Sequence, residues 1–231
     1  MRKILVLAGL AATITSCQKE NFEGLDLSGE ISGLKQGTLY LKTAKDSQIV
    51  ILDSMIFNGK STYHFQVPLE EPTVMYLTLD RGVSDSQDNF ILFFAEPGKM
   101  EVSSTLNQFY ADTKVEGSEN HNLYAEYQAK KKRYTDRQLD VHREKILTPL
   151  DEITKHDSLD TVIDKYTRRI YANAVQFSMA HTDKEVAPYL TLTEVLPIGT
   201  QHLDTIYKSL TPSIKESQYG AILKDYVEDV E

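Results

Sequence analysis

Cysteine is almost absent from this chain, which contains only Cys17. A single thiol cannot form an internal disulfide, a dithiol redox pair or a cysteine-rich zinc site. Positive charge is also scarce, because 25 lysines and arginines stand against 34 aspartates and glutamates, and the formal net charge is -9. An acidic chain is a poor match for nucleic-acid phosphates, which require many cations clustered on one face. Neither dithiol redox chemistry nor nucleic-acid binding is therefore expected.

The sequence motifs of common enzymes are also missing. There is no Gly-x-Ser-x-Gly nucleophile elbow, no phosphate-cradling glycine loop and no dinucleotide fingerprint. The six histidines show no two-histidine helical spacing with an intervening glutamate, so a zinc hydrolase is unsupported. The adjacent carboxylates of Asp151 and Glu152 are typical of a solvated helix surface. We therefore predict no enzymatic activity, no catalytic residue, no cofactor and no metal ligand.

A polar run at residues 80–89 is rich in the oxygen donors that calcium prefers. It lacks the Asp-x-Asp-x-Asp-Gly order and the terminal glutamate of a known calcium loop. A flexible polar hairpin is therefore the favoured interpretation of this segment.

The N-terminus has the layout of an export signal. A basic start is followed by an apolar or small-residue run of 12 residues, Ile4 to Thr15, whereas a helix that spans a bilayer needs about 20. The segment Ile14-Thr15-Ser16-Cys17 resembles a bacterial lipobox, which implies cleavage before Cys17 and lipidation of that residue. The alternative is a chance cysteine beside an ordinary cleavage site. We predict a lipoprotein signal peptide at residues 1–16 and a lipidated tether at residues 17–24.

Residues 25–117 alternate apolar and polar side chains in short runs that turn residues separate. This pattern is typical of half-buried strands. For example, Leu39 and Leu41 would face one side of a sheet and Tyr40 the other. Asn58-Gly59 offers the positive backbone angles of a tight hairpin turn. Roughly eight or nine such strands predict an antiparallel β-sandwich-like domain, with a barrel as the alternative.

The apolar period becomes helical after Gly117, where Ser118 can cap a helix that Pro149 stops or bends. Asp157 or Ser158 would cap a second, more amphipathic helix. Shorter helices are expected at residues 183–196, 200–210 and 212–230. The sequence therefore predicts a C-terminal helical domain at residues 118–231, and the fold class is α+β.

Tyrosine is the main aromatic residue, with 13 copies and no tryptophan in the chain. Stripes of tyrosine on a helix more often pack in a core than bind a cofactor. On the first helix, Tyr124, Tyr127 and Tyr134 would present flat apolar faces with hydroxyl groups, and we predict them as a partner surface. The basic run Lys130–Arg133 between them is interpreted as a solvated face, with a patch for an acidic partner or lipid head groups as the alternative.

Four segments together resemble one known family. They are Leu27–Leu34, Asp53–Lys60, Phe93–Met100 and Val115–Asn120. Their order and spacing resemble the domain of unknown function numbered forty-three sixty-nine, which is found in Gram-negative lipoproteins ahead of a thioredoxin-like domain of the thiol:disulfide interchange kind. The resemblance covers about residues 25 to 126. Because the chain has no Cys-x-x-Cys, the thioredoxin-like domain is expected to be absent, and the resemblance assigns redox chemistry to no residue.

These expectations combine into a non-catalytic, lipid-anchored protein of the cell envelope, on the outer membrane, that acts as a binding or adaptor module. Its partners would be the membrane, through the lipid, and another envelope protein, a peptide or a glycan. The alternative is an accessory subunit of a thiol-disulfide redox system that works in trans with a separate thioredoxin-like protein. A structural lipoprotein without a small ligand is a third interpretation. The periplasmic and the surface side of the membrane are both open at this point.

Overall fold

The computed structural model describes residues 22–45, 48–80, 82 and 89–229. The strands are β1 (Leu25–Ser32), β2 (Gln36–Lys45), β3 (Gln48–Asn58), β4 (Thr62–Val67), β5 (Thr73–Asp80), β6 (Phe90–Ala95), β7 (Gly98–Thr105) and β8 (Lys114–Glu116). The helices are α1 (Glu119–Leu147), α2 (Ile153–Ala180), α3 (Val186–Leu190), α4 (Leu203–Ser209), α5 (Pro212–Glu216) and α6 (Gln218–Glu228), with a π-helical turn at Thr191–Val195. The predicted α+β class, with strands first and helices after, is confirmed.

The strands form two four-stranded sheets that pack face to face. Their strand orders are β4-β1-β7-β8 and β3-β2-β5-β6. Neighbouring strands are antiparallel except β1 and β7, which run parallel. Alternate side chains of each strand point between the sheets, so Leu27, Leu41, Phe65 and Phe93 share one buried core. The predicted inward position of Leu39 and Leu41 is confirmed.

The turn at Asn58-Gly59 does not close the hairpin that its sequence predicts. Gly59 has the expected positive φ of 86°. However, β3 pairs with β2, whereas β4 pairs with β1 in the other sheet. The turn therefore carries the chain from one sheet to the other. Turn residues fix the local backbone angles, but the buried face of the next strand decides which sheet that strand joins.

Ser118 caps α1 as predicted, because its side chain accepts a hydrogen bond from the His121 backbone N at 2.9 Å. Helix α1 ends at Leu147, shortly before Pro149. A proline inside the helix would remove a backbone donor and clash with the preceding turn. The first helix therefore has the extent that its cap and its proline predict.

The predicted start of the second helix is wrong. Helix α2 begins at Ile153 with Glu152 in the N-cap position, and not at Asp157 or Ser158. Lys155 N and His156 N donate to the Glu152 carbonyl oxygen at 3.0 and 3.1 Å, so the helix begins here although the Glu152 side chain makes no capping hydrogen bond. The connection between α1 and α2 is therefore only residues 148–152, and the second helix folds back along the first.

The helices form a third layer on the outer face of the second sheet. Met75 and Phe93 point into the sandwich core, whereas their chain neighbours Val74 and Phe94 point towards the helices. The second core joins these two residues to Tyr127, Phe177, Leu190, Leu203, Ile214 and Leu223, one from each helix. Strands β5 and β6 are therefore buried on both faces, and the helical region packs directly on the outer face of the second sheet.

No helix in the described part of the chain is long and apolar enough to cross a membrane. The predicted signal peptide, Cys17 and most of the 80–89 loop lie outside the described residues, so their roles stay predictions. The end of the predicted tether is part of the sandwich, because the carbonyl oxygen of Gly24 accepts a hydrogen bond from the Gly98 backbone N at 2.8 Å.

Candidate functional site on the helical arm

Helices α1 and α2 form a long antiparallel hairpin, which we call the arm. They contain 29 and 28 residues, which corresponds to a length of about 42 Å at about 1.5 Å per residue. Gln138 Nε2 donates to Thr167 Oγ1 at 2.8 Å, and Lys145 pairs with Asp160 near the far end. One end of the arm, its base, lies on the sandwich. The other end, at residues 146–153, we call the tip.

Hydrogen bonds around Asn120 fix the base of the arm to the sandwich. Glu96, directly after β6, accepts from the Asn120 backbone N at 2.7 Å, from Asn120 Nδ2 at 3.0 Å and from Ser118 Oγ at 3.0 Å. Asn120 Nδ2 also donates to Glu185 Oε2 at 2.9 Å, and Asn120 Oδ1 accepts from the Val186 backbone N at 2.9 Å. One buried side chain therefore links the sandwich, α1 and the start of α3.

Aromatic rings fill the joint between the arm and the sheet. The Phe94 ring centroid lies 5.1 Å from that of Tyr189, 6.1 Å from that of Tyr124 and 6.2 Å from that of Tyr219. The Tyr219 hydroxyl accepts a hydrogen bond from the Val74 backbone N at 2.9 Å. Burial raises the pKa of Tyr124 to about 12. The joint is therefore closely packed, and the orientation of the arm is fixed by contacts on several sides.

The prediction that Tyr124 and Tyr127 belong to a partner surface is wrong, because both rings pack against aromatic side chains of the protein itself. Tyr127 is 0% exposed, and its ring packs edge-to-face on Phe177 with centroids 5.4 Å apart. Tyr124 belongs to the aromatic joint. The helical period places both rings on the side of α1 that faces the second core. Of the three predicted tyrosines, Tyr134 is the one that lies beside accessible space.

Tyr134 is half-buried and lines a cavity of about 430 Å³ between α1 and α2. The other lining residues are Lys130, Arg169, Ala172, Asn173 and Gln176. Asn173 is only 3% exposed, and neither its Oδ1 nor its Nδ2 has a hydrogen-bond partner in the described part of the protein. The cavity therefore combines two cations with polar side chains that have unused hydrogen-bonding capacity.

The tip of the arm exposes four large apolar side chains. Ile146 is 82% exposed, Leu147 83%, Leu150 90% and Ile153 67%. Sequence reasoning did not identify this patch. A signal was available, because adjacent apolar residues on either side of Pro149 cannot all lie on the single buried stripe of a helical hairpin. Exposed apolar residues that cluster in this way mark contact sites for other molecules.

Two histidines, His121 and His64, make contacts within the fold. Burial lowers the pKa of His121 to about 4, and its Nδ1 accepts a hydrogen bond from the Phe94 backbone N at 3.4 Å. His64 pairs with Asp26 across the surface of the first sheet. Within the described residues, no group of three His, Cys, Asp or Glu side chains is placed to hold a metal ion.

Together these features define an α+β protein in which a β-sandwich carries a helical layer with a projecting arm. Residues 25–124 match the family model of DUF4369, a domain of unknown function. The chain therefore contains the domain that its motifs resemble. The match includes Phe94, Asn120 and Tyr124 of the joint, whereas Tyr189, Tyr219 and the tip lie outside the matched residues. No curated protein and no solved structure matches this chain.

Proposed function

We propose that this protein is a non-catalytic binding or adaptor module of the cell envelope, held at the outer membrane by lipid on Cys17, and that its tip contacts the partner. The exposure of Ile146, Leu147, Leu150 and Ile153 carries the proposal. Side chains of this size are ordinarily buried in the core of a fold or in an interface. A tip about 42 Å along the arm would reach a partner that the sandwich does not touch.

The energetics favour a partner in the same membrane. Full burial of one leucine or isoleucine side chain contributes about 1.5–3 kcal/mol, whereas association costs about 4–15 kcal/mol. Four such side chains therefore give weak binding between two freely diffusing proteins. Lipid on Cys17 would confine the protein to the membrane and raise its effective concentration near an envelope partner. The anchor and the tip thus have complementary roles in this proposal.

The charges beside the tip indicate the kind of surface that it fits. Asp151 and Glu152 are exposed in the connection between the two helices, next to Leu150. An apolar pocket with a basic rim complements this arrangement, because cations at the rim would pair with the two carboxylates. We therefore propose an envelope protein with such a pocket as the partner.

The proposal is tested by crosslinking in intact envelopes, with the full chain at its native membrane. The test variant is Leu147→Ser/Leu150→Ser, and both positions are highly exposed, so the fold should not change. The matched control is Ile49→Ser/Ile56→Ser on β3, where the side chains are 59% and 76% exposed. Partners crosslinked to the unaltered chain should be lost from the tip variant and retained by the control.

The outcomes separate the proposals. Equal crosslinking of the tip variant and the unaltered chain would exclude the tip as the contact surface. If the β3 control alone loses its partners, the contact surface is the exposed edge of the second sheet and not the tip. Recovery of a thioredoxin-like protein through the tip would favour the accessory role in a thiol-disulfide system over an adaptor of another kind.

A further inference from the structure

The cavity between the two arm helices has the composition of a binding site. Of the six described residues that line it, Lys130 and Arg169 are cations, Tyr134, Asn173 and Gln176 carry a hydroxyl or an amide, and none is a carboxylate. Its volume of about 430 Å³ lies within the range of small-molecule sites, about 300–1,000 Å³. The lining carries positive charge, whereas the chain as a whole is acidic.

The two cations of the cavity are available to a ligand. Lys131, next to Lys130 in sequence, is paired with Glu194 at 2.7 Å. By contrast, no carboxylate of the described residues lies within ion-pair distance of Lys130 or Arg169. The Arg169 guanidinium lies 5.7 Å from the centroid of the Tyr166 ring, which supports its side chain from the same helix.

Asn173 is a second, independent indication of a ligand site. Its side chain has neither a donor nor an acceptor partner among the described residues, although the residue is almost fully buried. A buried polar group without a partner costs about 1–3 kcal/mol, so such groups call for a specific explanation. Asn173 lies one helical turn from Arg169 and from Gln176, on the same side of α2. Arg169 and Gln176 are exposed at the cavity, whereas both amide atoms of Asn173 are closed to solvent. A rotation of the Asn173 side chain would bring these atoms to a ligand.

The unused groups specify the chemistry of the ligand. Two cations favour an oxyanion, because charge-assisted hydrogen bonds are stronger than neutral ones. The amide of Asn173 needs both an acceptor and a donor, and a hydroxyl group supplies both. Tyr134 adds an apolar face with a hydroxyl group at its end. We propose that this cavity binds a small hydroxylated oxyanion, of the class of sugar acids and sugar phosphates.

This site is separate from the tip, so it does not depend on the proposed adaptor function. The test is calorimetric titration of the full chain, in detergent, with glucuronate and with glucose 6-phosphate. These two probes distinguish a carboxylate from a phosphate ligand. Glucose and inorganic phosphate are the comparison ligands, because each lacks one half of the proposed chemistry. NMR of the Asn173 and Gln176 side-chain amides reports whether the probe occupies this cavity.

Three variants and one control connect binding to the cavity. Lys130→Gln and Arg169→Gln remove one exposed charge each and should weaken binding about tenfold or more. Asn173→Leu replaces the unpartnered amide with an apolar group of similar size. This variant should fold at least as stably as the unaltered chain and should lose binding. Lys132→Gln is the control, because Lys132 pairs with Asp136 at 2.7 Å and does not line the cavity.

Binding of either anionic sugar, with loss in the three variants and retention in Lys132→Gln, is the expected result. Equal binding of glucose would refute the role of the cations. Binding of inorganic phosphate with the same affinity as glucose 6-phosphate would refute the role of the hydroxyl groups. Absence of binding by both anionic sugars, or unchanged binding in Asn173→Leu, would overturn the site.

Discussion

Glu96 and Asn120 are joined by two hydrogen bonds to the same carboxylate oxygen, Glu96 Oε1, from the Asn120 backbone N at 2.7 Å and from Asn120 Nδ2 at 3.0 Å. Glu96 directly follows β6, and Asn120 lies in the first turn of α1. A carboxylate at this end of a helix also interacts favourably with the helix dipole. The pair therefore fixes the end of the sheet to the start of the arm.

Asn120→Ala should destabilise the protein by about 3 kcal/mol, because it leaves the Val186 N–H and the Glu185 carboxylate without their partner and removes one of three hydrogen bonds to Glu96. Urea denaturation measures the change in the free energy of unfolding. Asn122→Ala is the control on the same helix, since Asn122 is exposed, and it should change stability by less than about 0.5 kcal/mol. Similar effects of the two substitutions would contradict the anchoring role of Asn120.

Stability should fall as the pH decreases from about 6.5 to about 4 because of His121. Burial lowers the pKa of this histidine from 6.5 to about 4 in the folded protein. Between these two values the unfolded chain binds a proton that the folded protein does not, and stability decreases by up to about 3 kcal/mol. Above pH 6.5 both states are neutral at this residue, so the effect is absent.

The pH effect is measured by urea denaturation of the unaltered chain and of His121→Gln at several pH values between about 4 and 7.5. The glutamine retains an acceptor for the Phe94 N–H but does not titrate in this range. The variant should therefore lose less stability at low pH. An equal loss of stability in both proteins would contradict the prediction that His121 takes up a proton when the chain unfolds.

Limited digestion with chymotrypsin should make its first internal cut at the tip, after Leu147 or Leu150, whose side chains are 83% and 90% exposed. The sequence alone favours a cut near Gly117-Ser118, where the apolar period changes from that of strands to that of helices, or in the 80–89 loop. In the structure, Ser118 is buried and hydrogen-bonded to Glu96, so this junction should resist cleavage. Mass spectrometry of the earliest fragments identifies the site, and first fragments ending near Tyr124 would contradict the packed joint.

Cys17→Ala should move the protein from the detergent phase to the aqueous phase in a phase-partition assay. Acyl chains on Cys17 would supply most of the apolar surface that holds the protein in a bilayer. Leu147→Ser/Leu150→Ser serves as the comparison and should stay in the detergent phase. If Cys17→Ala partitions unchanged and the tip variant becomes aqueous, the tip and not the lipid would be the membrane contact.

Several features followed from local sequence patterns. The alternation of Leu39, Tyr40 and Leu41 predicted which side chains enter the core, because a strand turns successive residues to opposite faces. Ser118 and Pro149 predicted the extent of α1, because capping and the missing proline N–H act within one helical turn. The start of α2 was missed because Asp157 and Ser158 have the chemistry of a cap but lie inside a helix whose backbone hydrogen bonds continue back to Glu152.

The sequence by itself determined the order of strands and helices, the positive φ at Gly59 and the cap at Ser118, since each depends on residues a few positions apart. The tertiary structure alone decided the parallel pairing of β1 and β7, the burial of Tyr127 and the position of Lys130 and Asn173, on two different helices, beside the same cavity. Those arrangements depend on which apolar faces bury each other. Residues far apart in the chain set that choice, and a local pattern carries no information about it.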